Sequence, residues 1–139
     1  MSQENVEIVR AGFEAWNTGD MDALRELYDP DAINKPPEGW PESEPLVGRD
    51  AVMRQFEQMR STWDADTLEA ISDFIEAADR VVVRLTWRGA GRGPEAGFEM
   101  TGVFTVRKGR IAIQEYFWDH AEALETLGLS EQDSRADAS

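Results

Sequence analysis

The 139-residue sequence predicts an α+β fold in which N-terminal helices cover one face of a curved antiparallel sheet. Three observations carry this expectation. Apolar residues recur at helical spacing through Trp63, and from Thr67 onward the period changes to two. Lys108-Gly109 is a tight-turn dipeptide between two runs rich in β-branched and aromatic residues, which predicts a hairpin over Gly97–Asp119.

Val6, Val9, Phe13 and Trp16 form one apolar stripe and define a helix over 3–17. Asn17-Thr18-Gly19 stops it, and Gly19 suits a left-handed C-terminal cap. Asp20 caps a second, short helix with Leu24, Leu27 and Tyr28 as its apolar side, ended by Asp29-Pro30-Asp31. Ala32 to Asn34 reads as a short strand. The stretch KPPEGWPESEP holds four prolines and is a loop, either surface filler or the rim of a pocket that includes Trp40. Asp50 is expected to cap a third helix, whose stripe of Val52, Phe56, Met59 and Trp63 faces the core.

Leu68 to Ile75 reads as a strand, Glu76 to Asp79 as a turn, and Arg80 to Arg88 as a strong strand. The connection GAGRGPEAG has no following helix and no Lys-Ser/Thr, so it reads as a flexible turn rather than a phosphate cradle. After the hairpin, Asp119-x-x-Glu122 has capping-box spacing and opens a short helix through Leu127, stopped by Gly128. One domain is expected over 1–129, with 130–139 a disordered tail.

Hydrophobic residues make up 41% of the chain, enough for a core, and the net charge of -14 argues against nucleic acid or anionic membranes as partners. There is no cysteine for a disulfide, thiolate metal site or nucleophile. No apolar run approaches the roughly 18 residues of a membrane span, and the first residues lack a signal-peptide core, so a cytoplasmic location is the default expectation. With one histidine and no calcium-loop spacing, no metal is expected; with no Rossmann glycine pattern, no cofactor is expected.

Strict alternation along the hairpin places Phe98, Met100, Phe104 and Val106 on one face with Ile111, Ile113, Glu115, Phe117 and Asp119. Glu115 on such an apolar face either pairs with an arginine or meets a ligand as a general acid or base. Asp119 is either a helix N-cap or a carboxylate at the pocket mouth. The two lie about 13 Å apart along a strand, too far to act as a close pair. Trp16, Tyr28, Trp63, Trp87 and Phe117 are core residues of which some line a cavity; with Trp40, Met100 and Phe104 they form the expected ligand-binding set. Arg84, Thr86, Gln114, Tyr116 and Trp118 fall on the opposite sheet face and read as a homodimer interface, because a monomer would not leave Tyr116 and Trp118 exposed together.

The segments FEAWNTGDMDALRELYDPDA, VGRDAVMRQFEQM, DRVVVRLTWRG, FTVRKGRIAIQEYFWD and HAEALETLGL, in this order, resemble the nuclear transport factor 2-like superfamily, and within it the SnoaL-like branch. The resemblance implies a cone-shaped α+β barrel with a pocket between helices and sheet, and homodimers through the outer sheet face. Members include ketosteroid isomerase, polyketide cyclases and limonene epoxide hydrolase. The tyrosine of the isomerase falls at Gly12 and its base at Pro36, so that chemistry is not implied here. Thr86 breaks the Arg-x-Asp pair of the hydrolase at Arg84. The cyclases use an aspartate and a histidine, and His120, the one histidine, has the phase opposite to Glu115. Two functions follow: a protein that binds an apolar, ring-shaped molecule, or a cofactor-independent isomerase, cyclase or hydrolase using Glu115.

Overall fold

A computed structural model describes residues 3–39, 44–63, 65–91 and 96–126. Trp40, the stop at Leu127-Gly128, the tail from 130 and the middle of the glycine-rich connection lie outside the described residues.

Helix α1 (Gln3–Thr18) buries Val9 and Trp16. The Asn-x-Gly-Asp motif that follows has a physical role at each named position. The Asn17 amide donates to the carbonyl of Leu68 at 2.8 Å and accepts from its N–H at 2.8 Å, tying the helix end to a strand backbone. Gly19 turns the chain at a φ of +77°. Asp20 accepts from the Ala23 N–H at 3.0 Å and caps α2 (Met21–Glu26). Tyr28 is not part of that helix; it opens β1 (Tyr28–Lys35), paired with the short β2 (Leu46–Val47). Helix α3 (Arg49–Ser61) is preceded by Gly48, at a φ of +98°, rather than capped by Asp50. The Asp50 carboxylate sits in the first turn and accepts from Arg25.

The predicted strand over 68–75 is two elements, β3 (Ala65–Ala70) and β4 (Ile75–Ala77), both paired with β5 (Arg80–Ala90). β5 continues into β6 (Ala96–Arg107), and β6 turns at Lys108-Gly109 into β7 (Arg110–Phe117). Lys108 and Gly109 have φ of 54° and 77°, matching the right-handed twist of the hairpin. The order β2-β1-β7-β6-β5-β3 gives a curved, unclosed sheet, antiparallel except for the parallel β1–β7 pair. Helices α1 to α3 cover its concave face, and the main core lies between. Helix α4 (His120–Glu125), capped by Asp119 through the Ala121 N–H at 2.9 Å, packs Ala123 and Leu124 on Ile75, Val82 and Val103 of the convex face. Among the described residues no helix is long and apolar enough to cross a membrane.

The register of the hairpin overturns the strict alternation. Val106 pairs with Ile111 but Thr105 pairs with Ile113, so Ala112 is an extra residue in β7. From that bulge on, every side chain changes face. Gln114 and Tyr116 now lie opposite Phe104 and Gly102 on the concave face, whereas Glu115 lies opposite Val103 on the convex face. Gln114 and Tyr116 therefore do not belong to an outer interface, and Glu115 and Phe117 do not share a face with Met100 and Phe104. Arg84 and Thr86 keep their outward phase, opposite Thr101 and Glu99.

Candidate functional site

The helices and the concave face enclose a cavity of about 110 Å³. Trp16, Tyr28, Trp87, Met100 and Phe104, all singled out from the sequence, line it. Gly12 and Pro36, the positions matched to the isomerase tyrosine and base, also line it. Two rows of rings form its walls. On the helix side, Phe56 meets Trp16 at 5.4 Å and Tyr28 at 5.8 Å between ring centroids. On the sheet side, Trp87 stacks on Phe98 at 5.1 Å; Phe98 in turn meets Trp118, an exposed ring outside the lining, edge-on at 5.8 Å. Trp63 is outside the lining, edge-on to Trp87 at 5.5 Å. Gly89 makes room for both indoles: a Cβ there would lie 2.6 Å from the Trp87 ring and 2.7 Å from Trp63.

One stretch of wall is polar. The Tyr28 hydroxyl donates to Gln114 Oε1, and Gln114 Nε2 donates to the Tyr116 hydroxyl and, at 3.4 Å, to Asn34 Oδ1. The network is built from pairing: Asn34 on β1 and Phe104 on β6 flank Gln114, which is 1% exposed. Burial pushes the Tyr28 hydroxyl well above its ordinary pKa; repulsion from Tyr116 adds to this and the bond to Gln114 partly offsets it. Burial raises Tyr116 as well. The network is thus neutral at physiological pH. Because Tyr116 accepts from Gln114, its own hydroxyl hydrogen is left to donate.

A buried carboxylate joins the two rows at their far end. Asp66 Oδ2 accepts from the indole N–H of Trp16 at 2.8 Å and of Trp87 at 2.9 Å. Asp66 Oδ1 lies 3.4 Å from Arg60 Nη1, which also donates to the Trp16 carbonyl at 2.7 Å.

The remaining sequence candidates sit elsewhere. Glu115 faces Lys35, its β1 neighbour, at 3.9 Å on the convex side. Asp119 is spent on the α4 cap. Phe117 packs against the convex cluster under α4. The Trp118 indole donates to the Glu38 carbonyl at 2.7 Å, beside the loop that follows β1. His120 Nδ1 lies 3.1 Å from the Thr101 hydroxyl. Sequence reasoning missed Asn34, Gln114 and Tyr116 as cavity groups, and Asp66 as the acceptor behind two of its rings. The available signal was the conflict that strict alternation created, with a tyrosine and a tryptophan turned to solvent and a carboxylate turned to the core.

A helix-roofed cavity on a curved, unclosed sheet is the architecture of a nuclear transport factor 2-like protein. The chain belongs to the SnoaL-like domain family, whose model matches residues 9–114. It is similar to Bal32a from a soil-derived mobile gene cassette, with 26% identity, TM-score 0.73, and coverage of 83% of this chain and 88% of that one. It is also similar to a protein from Sinorhizobium meliloti proposed to be a polyketide cyclase, with 27% identity, TM-score 0.65, and coverage of 79% and 93%. An epoxide hydrolase of Mycobacterium tuberculosis shares the fold at 17% identity, with TM-score 0.72 and coverage of 91% and 90%. No curated protein sequence matches the chain.

Proposed function

We propose that the protein binds a small, ring-shaped, largely apolar molecule carrying a carbonyl or hydroxyl oxygen. The observation that carries this reading is the Gln114 network: a neutral, buried set of hydrogen-bonding groups in a cavity lined mainly by aromatic and aliphatic side chains. Aromatic rings take up the flat body of such a ligand, and the Tyr116 hydroxyl donates to its oxygen. The similarity to a protein proposed to be a polyketide cyclase supports this class, since polyketide rings carry such oxygens. Proton transfer by Glu115 is disfavoured, because its carboxylate is on the other face of the sheet. Two copies pairing across the convex face, as the resemblance implies, would use Arg84 and Thr86 but not Gln114 or Tyr116; a monomer mass in light scattering removes that part of the proposal.

The test is thermal unfolding with a panel of aromatic polyketides, steroids and cyclic terpenoid ketones. A ligand at a hundredfold excess over its Kd stabilises the native state by about 2.7 kcal/mol, a rise of a few degrees in Tm. Tyr116→Phe should weaken a ketone about tenfold and leave its oxygen-free analogue unchanged. Glu115→Gln should leave binding intact. Absence of any shift across the panel overturns the proposal.

A further inference from the structure

We propose that Asp66 is the positioning residue that locks the two tryptophan walls of the cavity together and so sets the width of the ligand admitted. The inference rests on the binding function proposed above. Trp16 belongs to the helical roof and Trp87 to the sheet floor; the Asn17 amide already ties the end of the roof helix to Leu68, the β3 partner of Trp87, but it leaves the two indole rings themselves unlinked. Both indole N–H groups converge on a single oxygen, Asp66 Oδ2, at 2.8 and 2.9 Å. The Asp66 side chain is 3% exposed, so water does not compete for that oxygen. Its second oxygen faces Arg60, whose guanidinium lies over the Trp16 ring at 5.1 Å. The carboxylate therefore has partners on both oxygens, and its orientation is fixed from the solvent side.

Asp66 itself does not line the cavity, whereas both tryptophans do. It sits on β3 directly opposite Gly89, the residue whose missing side chain leaves room for the Trp87 ring. Packing alone would leave each indole other ways to tilt. A shared acceptor removes them, because neither ring can turn away without leaving a buried donor unpaired. Roof and floor are held at one separation, and a ligand too wide for that gap must break a hydrogen bond to enter.

The experiment has two readouts on the full chain, for wild type, Asp66→Ala and the conservative Asp66→Asn. The first needs no ligand: exchange rates and shifts of the Trp16 and Trp87 indole N–H resonances, assigned with Trp16→Phe and Trp87→Phe. Both should be protected in wild type, and both should exchange at least tenfold faster in Asp66→Ala. Asp66→Asn keeps an oxygen acceptor and should retain most of the protection. The second is the ratio of affinities for cyclohexanone, 1-tetralone and anthrone. Asp66→Ala should shift that ratio at least fivefold towards the widest ketone, with Asp66→Asn closer to wild type. Independent behaviour of the two indole signals, or protection unchanged in Asp66→Ala, overturns the anchor. An unchanged affinity ratio in a folded Asp66→Ala overturns the width selection. Binding of none of the ketones to wild type overturns the binding function and the width selection together, while the indole signals still judge the anchor.

Discussion

Gln114 carries no charge, yet its replacement is expected to be among the costly changes in this chain. Gln114→Leu keeps the bulk but strands the Tyr28 hydroxyl and the Asn34 and Tyr116 oxygens in the interior. Each buried group left unpaired costs about 1–3 kcal/mol, which a urea midpoint would register. The two tyrosines predict a particular alkaline response. In the unfolded chain their hydroxyls ionise near pH 10, while in the folded chain burial keeps both protonated to higher pH. The unfolded state therefore binds fewer protons above that point, and stability falls as pH rises. The contribution is complete below about pH 10 and declines above it by up to about 1.4 kcal/mol per pH unit for each tyrosine. Tyr116→Phe should roughly halve the slope, measured by urea unfolding between pH 9 and 11. Gly89→Ala should drive the Trp63 and Trp87 rings apart and destabilise by about 1–3 kcal/mol, read as a lowered Tm.

At the scale of elements, α4 acts as a cover for the convex face. Its Leu124 is fully buried against Val82 and Val103. Leu124→Ala should cost about 2–5 kcal/mol, and Asp119→Ala about 1 kcal/mol through the lost cap; circular dichroism melts would separate the two. Most elements were legible because local chemistry decides them: the Val6–Trp16 stripe, the Asp20 cap, the Lys108-Gly109 turn and the alternation of β5. The third helix lost its expected cap because the chain enters it through a glycine with positive φ, leaving Asp50 in the first turn. β3 and β4 read as one strand because Phe74 falls in phase with Leu68 and Ala70 across the break. The bulge was illegible for a similar reason. Ile111 and Ile113 are both apolar, so either phase satisfies the pattern there, and only pairing with Thr105 and Val106 decides between them. That single ambiguity moved the hydrogen-bonding wall of the site to the wrong face.

For the whole molecule, the net charge of -14 on 139 residues makes self-repulsion a steady cost of the compact state. Added sodium chloride should raise Tm between about 0.01 M and 0.1 M, where the Debye length contracts from about 30 Å to about 10 Å, with a smaller gain beyond. A flat dependence on calorimetry would mean that ion pairs such as Arg25–Asp50 offset the repulsion. The family was legible from the order of motifs, whereas the Asp66 anchor was not, because one acidic residue amid 28 carries no mark of burial until β3, α1 and β5 are assembled around it. The extra residue in β7 also bears on how relatives of this chain could diverge. A register in which Ala112 took a place in the ladder would shift every later residue of β7 by one partner, turning the Glu115 carboxylate indoors and Gln114 out, whereas loss of the Ala112 codon would only remove the bulge and leave Gln114 opposite Phe104. An in-frame deletion at this position would therefore preserve the neutral lining, and it is a one-residue slip of register, with neither a substitution nor a change of length, that would exchange it for an acidic one.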